Sequence, residues 1–143
     1  MIRLLTGLFA SSFLAACAGV TSPEPAPAPA MVIVVEADVK VEEPPPHGKI
    51  GMSTAWRISD AVPVRAFEFR KRALHPGSAI GLHPINHDEI YYVLSGEGVV
   101  HSDGEEQTLT EGMAAYLYTG AVVGIRQVGA EPLVLIIAYP PGK

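Results

Sequence analysis

Cysteine is nearly missing from this chain. Its 143 residues contain a single one, Cys17, so no intrachain disulfide can form. Positive charge is scarce too: 10 Lys and Arg stand against 15 Asp and Glu, for a formal net charge of −5. The only run of bases is Arg70-Lys71-Arg72, which fits a solvated strand face. That excludes the electrostatic footprint of a nucleic-acid binder. Sustained helical periodicity is absent after residue 50, and no internal repeat, P-loop, dinucleotide fingerprint or nucleophile elbow occurs. Nucleotide-dependent and serine-hydrolase chemistry therefore drop out as first readings. The length suits one domain of ordinary size.

What is present begins with an apolar N-terminus. "MIRLLTGLFASSFLAAC" carries one base, Arg3, then an apolar run from Leu4 to Leu14, then small residues. This is the layout of a secretory signal peptide, too short for a spanning helix. Leu14-Ala15-Ala16-Cys17 resembles the bacterial lipobox. The resemblance implies cleavage before Cys17, lipidation of its thiol and an acylated amino terminus, with the membrane as a partner through that anchor. Ala18 stands where an inner-membrane retention signal would place Asp, which implies an outer-membrane lipoprotein facing the periplasm or the surface. Residues 18–30, "AGVTSPEPAPAPA", have the composition of an extended polyproline tether. The expected organisation is a signal peptide at 1–16, lipidated Cys17 with a Pro/Ala-rich linker at 17–49, and a folded domain at 50–143. Val32, Val34, Val39 and Val41 suggest an extended piece before the triple proline at 44–46. Whether it adds an edge strand or belongs to the linker stays open.

From about Met52 the pattern is all-β. Short apolar runs recur about every ten residues with turn signals between them. Expected strands are Thr54–Ser59, Val64–Leu74, Ala79–His83, Glu89–Leu94, Gly98–His101, Glu105–Leu109, Ala114–Leu117, Val122–Val128 and Leu133–Tyr139. "SDGE" at 102–105 reads as a hairpin turn, because Asp-Gly accepts the positive φ angles of type I′. "LVLIIAY" at 133–139 is apolar at nearly every position and should lie inside a sandwich.

Two glycine-framed segments carry the chemistry. In "GSAIGLHPINHDEIYYVLSG", residues 77–96, the spaced positions are Gly77, His83, Ile85, Glu89 and Gly96. In "GMAAYLYTGAVVGIRQ", residues 112–127, they are Gly112, Tyr118, Gly120, Val123 and Gln127. This spacing resembles the two motifs of the cupin superfamily, over roughly Pro63 to Pro140. The resemblance implies a single cupin barrel, a double-stranded β-helix or jelly roll. It also implies a metal centre of three imidazoles and one carboxylate, yet Ile85 and Val123 stand at two of the histidine positions. His83 and Glu89 alone would hold a divalent ion weakly.

His87 lies between them. If its turn bends inward, His83, His87 and Glu89 become a two-histidine, one-carboxylate set for one divalent transition metal (Fe, Mn, Ni or Zn). Otherwise no cofactor is expected. Asp88 would substitute for Glu89 or accept an imidazole N–H. Strand alternation puts Tyr91 and Val93 inside and Tyr92 outside. Gln127 shares the Val123 face, so its amide is expected in the pocket, and Arg126 should point away. His75 and His101 show no partner in the sequence, and His47 falls in the linker.

Three function classes follow. The first is an envelope-tethered module holding a small organic ligand with His83, Glu89, Tyr91 and Gln127. The second is a metal-dependent oxygenase, isomerase or lyase using His83, His87 and Glu89. The third is an interaction scaffold without catalysis. The fold permits all three, and a homodimer is left open.

Overall fold

The computed structural model describes residues 27–141. The stretch expected to be a signal peptide, Cys17 and residues 18–26 of the expected tether lie outside the described residues. Ten strands run along the chain: β1 (Lys40–Glu43), β2 (Ser53–Trp56), β3 (Glu68–Leu74), β4 (Ala79–Pro84), β5 (Glu89–Ser95), β6 (Glu97–Ser102), β7 (Glu105–Thr110), β8 (Ala114–Leu117), β9 (Val122–Val128) and β10 (Leu133–Tyr139). They form a six-stranded sheet in the order β1-β2-β3-β10-β5-β8 and a four-stranded sheet in the order β4-β9-β6-β7. Every pairing is antiparallel. The all-β architecture is what the strand pattern led one to expect, and the jelly roll is what the cupin resemblance implied.

Alternation along each strand builds the core. Along β5, Glu89, Tyr91 and Val93 are buried while Ile90, Tyr92 and Leu94 are exposed. Beside Tyr91 and Val93 on the same face lie Leu133, Leu135 and Ile137 of β10, and the other sheet brings Val123 and Ile125 of β9 to the same apolar cluster. Each such side chain, fully buried, stabilises the fold by roughly 1.5–3 kcal/mol. The expectation for "LVLIIAY" holds on one face only. Leu133, Leu135 and Ile137 are buried, whereas Val134 and Ile136 are half-exposed on the outside of the sheet.

Local chemistry sets the strand ends. The β6–β7 hairpin turns at Asp103 and Gly104 with φ of 49° and 90°, as type I′ requires. Gly96 has φ +79°, and a Cβ there would lie 2.2 Å from the Pro132 carbonyl oxygen, so only glycine lets the two turns nest. Thr54–Ser59 was too long an expectation: the strand stops at Trp56, and a 3₁₀ turn follows at Ile58–Ala61. Val64–Leu74 began too early, because Val64 sits at φ +49° and pairing starts at Glu68. The open question before the triple proline resolves in favour of a strand. Lys40–Glu43 pairs with Ser53–Trp56, so the sheet extends N-terminal of residue 50 into the stretch expected to be linker.

Candidate functional site

A pocket of about 700 Å³ opens at one end of the barrel. Its walls come mainly from four places, completed by Glu43 of β1 and by Arg57 just after β2. The chain just after β1 supplies Pro44, Pro46 and His47; β3 supplies Arg70 and Arg72; β4, β5 and the turn between them supply His83, Ile85, His87, Glu89 and Tyr91; β10 supplies Ile137 and Tyr139. Three positions expected to bind ligand, His83, Glu89 and Tyr91, are here. Gln127 is not.

Glu89 is the buried acid of the site. Burial pushes its carboxyl up to about 7, against a smaller opposing effect of its hydrogen bond with Tyr91. Tyr91 is fully buried, and burial and the nearby Glu89 raise its phenol well above the ordinary range. Beside them the β4–β5 turn does bend inward. His87 Nε2 lies 3.5 Å from Glu89 Oε2, and the His87 ring stacks on Tyr139 at 4.7 Å between centroids. His87 Nδ1 is 2.9 Å from Asn86 Oδ1. Asp88 turns the other way. It accepts hydrogen bonds from the Tyr116 hydroxyl, the Thr119 N–H and the Thr119 hydroxyl, so it pins the loop after β8 and takes no part in the pocket. The Tyr116 bond is the main cause holding its carboxyl below the usual range.

His83 meets an unexpected neighbour. Its ring stacks on His47, centroids 3.5 Å apart and planes 6° from parallel, and its Nδ1 lies 2.9 Å from the Gly81 carbonyl oxygen. Burial, and then the proximity of His83, lower the basicity of His47. The reading of His47 as a linker residue is corrected: the 44–49 segment lies against β4. A Cβ at Gly81 would come within 1.7 Å of the His47 carbonyl oxygen, so glycine at 81 permits that approach.

The bases at 70–72 were also misplaced by the sequence reading. Arg72 is buried; it donates through Nη2 to Glu43 at 3.0 Å and through Nη1 to Ser53. Arg57 also donates to Glu43. Burial alone would raise the Glu43 carboxyl, but hydrogen bonds from Arg72 and Arg57 outweigh it and hold the group low. Arg70 bonds Asp60 at 2.9 Å and Glu68 at 3.2 Å. Nε of Arg57 and of Arg70 are buried with no acceptor among the described residues. A usable signal was there: Glu68, Arg70 and Arg72 share strand parity with Leu74, a residue certain to point inward.

Gln127 is buried as expected but closes the opposite end of the barrel. Its Oε1 accepts from Gly77 N–H, and its Nε2 donates to the carbonyls of Val128, Gly129 and Glu131. Its amide is thus tied to backbone away from the pocket. His75 and His101 have partners after all. His75 Nε2 lies 3.0 Å from Thr54 Oγ1, and His101 Nε2 accepts from Gly104 N–H in the hairpin turn. Arg126 points outward to Glu106, as expected.

The residues do not fit a three-imidazole, one-carboxylate metal centre. Ile85 and Val123 are 4% and 0% exposed and bring hydrocarbon to two of the ligand positions. The smaller set fares no better: His83 is turned face to face with His47 while Glu89 meets His87. Among the described residues no group of three or more His, Cys, Asp or Glu is placed to hold a metal ion.

The glycines that frame both motifs adopt left-handed backbone. Gly77, Gly96, Gly112 and Gly120 all have φ between 79° and 93°, at turns between successive strands. Residues 71–139 match the family model described as a cupin domain. This chain carries a cupin domain. Over 75 residues it is 35% identical to the oxalate-binding protein of Thermotoga maritima, a match covering 52% of this chain and 62% of that protein. The crystal structure of a predicted oxalate decarboxylase from Thermotoga maritima superposes with a TM-score of 0.67 at 26% identity, covering 76% of this chain and 98% of that one. An RmlC-like cupin from Shewanella frigidimarina superposes at 0.58 with 19% identity, over 74% of this chain and 87% of that one; at that identity the likeness concerns the fold. Within the cupin domain, then, the barrel is the ordinary one, and the departure lies in the ligand positions.

Proposed function

We propose that this cupin binds a small carboxylate-bearing organic molecule in the pocket at the barrel mouth, through its own side chains. The observation that carries the reading is the charge of the wall. In a chain of net charge −5, the pocket collects the guanidinium groups of Arg57, Arg70 and Arg72 and the imidazoles of His47, His83 and His87. Against them stand Glu43, shared between Arg57 and Arg72, Asp60 and Glu68, which hold Arg70 from outside the lining, and Glu89, whose carboxyl is pushed up to about 7. The bonds to carboxylates that Arg57 and Arg70 make among the described residues run through Nη2, so an incoming carboxylate can be met by their remaining guanidinium N–H groups, which favour forked pairing. Ile80, Ile85, Ile137 and the tyrosines give the apolar remainder usual in ligand pockets. The names of the Thermotoga proteins point to the same chemical class. Oxalate itself is small for this volume, so a longer carboxylate with an apolar body is the better fit.

Calorimetric titration with oxalate and a series of mono- and dicarboxylates tests this. At least one acid should bind, its affinity should fall with salt, and Arg57→Met or Arg70→Met should weaken it about tenfold or more. A neutral amide analogue binding equally well would sink the proposal. So would the absence of heat with every acid.

The lipobox resemblance supports placing this pocket at the cell envelope, on a tether from Cys17. Cys17→Ser removes the thiol to which a diacylglycerol is joined, so labelled palmitate should enter the natural protein and not the variant. Label in both would refute the anchor. The alternative of a metal enzyme using His83, His87 and Glu89 makes a different demand. Binding of a transition metal by the purified protein should then be tight and lost in His87→Ala.

A further inference from the structure

Two pairs of flat rings line the pocket. In the first, His47 and His83 lie face to face, centroids 3.5 Å apart and planes 6° from parallel. In the second, His87 lies on Tyr139 at 4.7 Å and 16°. All four belong to the pocket wall. They come from three separate parts of the chain: the strap at 44–49, the β4–β5 region and the end of β10. His47 is exposed and the other three are half-exposed, so ring surface is left for a ligand to cover. We propose that the pocket takes an aromatic carboxylate, a planar ring packed on these stacks with its acid group on the arginines. The proposal rests on the carboxylate reading above and narrows it to one class of acid.

Three observations favour a planar body over a saturated one. First, the wall already packs rings on rings. Aromatic pairs prefer offset-stacked or edge-to-face contact, and a flat ligand extends that packing where a puckered chain cannot. The arginines suit the same molecule, because a guanidinium pairs with a carboxylate and also stacks on a ring face. Second, the size fits. An apolar cavity of about 150 Å³ holds a benzene ring, so about 700 Å³ receives a ring, its acid group and a ring substituent. Third, the backbone is strained in order to place His47. His47, Gly48 and Lys49 have φ of 57°, 112° and 53°, a left-handed run that is costly for the histidine and the lysine. Buried Pro45 fixes the strap on one side of this run, and the Ile50–Ala79 bridge fixes it on the other. The result is one imidazole laid flat on His83 at the pocket wall. Strain of this kind clusters at ligand clamps.

Titration calorimetry on the full chain with matched acids tests this: benzoate against cyclohexanecarboxylate, and phenylacetate against cyclohexylacetate. Within each pair the charge is the same and the size nearly so; the flat ring is the difference. The aromatic member should bind about tenfold tighter, the worth of one or two ring contacts. Tyr139→Leu and His47→Asn each remove one ring and should shrink that ratio about threefold or more. Tyr139→Phe keeps a ring and should keep the ratio. Asn accepts left-handed backbone, so the strap holds its course, and melting curves verify that the variants fold. The comparison in the natural chain needs no variant at all. Equal affinity within each pair would overturn the aromatic proposal and leave the carboxylate reading standing. A preference that survives both Tyr139→Leu and His47→Asn would also overturn it, because the rings would not be its source. Silence with every acid, oxalate included, would overturn both readings together.

Discussion

Glu89→Gln should make the protein more stable at pH 8 by about 2–3 kcal/mol and change little at pH 4. The Glu89 carboxyl has an ordinary value of 4.5 and is pushed by burial to about 7 in the fold. The folded state therefore holds this proton more tightly than the unfolded chain does. Its contribution is fully present below about pH 4.5, declines as pH rises, and is gone above about 7. A displacement of that size corresponds to roughly 3 kcal/mol. Glutamine cannot ionise and keeps a polar group beside Tyr91, so it removes the slope. Glu43 and Glu68 shift the opposite way. For both, burial is outweighed by hydrogen bonds, to Arg72 and Arg57 in one case and chiefly to Ser59, Arg65 and Arg70 in the other. Their contributions are present above about 4.5 and lost as pH falls, and they are common to both proteins, so they cancel in the difference. Urea melts in chelator from pH 4 to 8 measure it. A difference that stays flat with pH would mean that Glu89 is solvated or already ionised in the fold.

The barrel was legible in the sequence because its signals are local. Alternation in Glu89–Ser95, an Asp-Gly turn at 103–104 and glycines at motif spacing each depend on a few neighbouring residues. Ala114–Leu117, Val122–Val128 and Leu133–Tyr139 could accordingly be bounded to the residue. The site was legible only where it sits on those same strands, at His83, Glu89 and Tyr91. What failed depends on distant chain. His47 meets His83 across 36 positions of sequence because three prolines stiffen the strap and Gly81 has no Cβ to keep it away. Arg70 and Arg72 looked like a solvated face because charge usually means solvent. Burial became tolerable once Glu43 and Ser53, remote in sequence, supplied acceptors to Arg72, and Asp60 with Glu68 supplied them to Arg70. Gln127 was read correctly as inward-facing, but facing the core does not say which end of the barrel a side chain serves.

Ile85→His with Val123→His should raise affinity for Co, Ni or Zn by orders of magnitude. His83 and Val123 are direct partners across β4 and β9. Opposed positions in an antiparallel pair have Cβ atoms about 4.5–5.5 Å apart, close enough for two imidazoles to share an ion. Ile85 lines the same pocket, and Glu89 supplies the carboxylate. Affinity follows the number and type of ligands, so three imidazoles with one acid replace a pair too weak to hold an ion. Two buried aliphatic side chains become polar, which should cost about 1–3 kcal/mol each without metal. Metal should then return stability, because it binds the folded state alone. It should also draw Glu89 into its ionised form and so bring the carboxyl below its present value near 7. Metal titration and melting with and without Zn read both effects. If the double variant gains neither affinity nor a metal-dependent melting point, Ile85 and Val123 do not occupy ligand positions, and the alignment of both motifs with the metal-binding cupins fails with them.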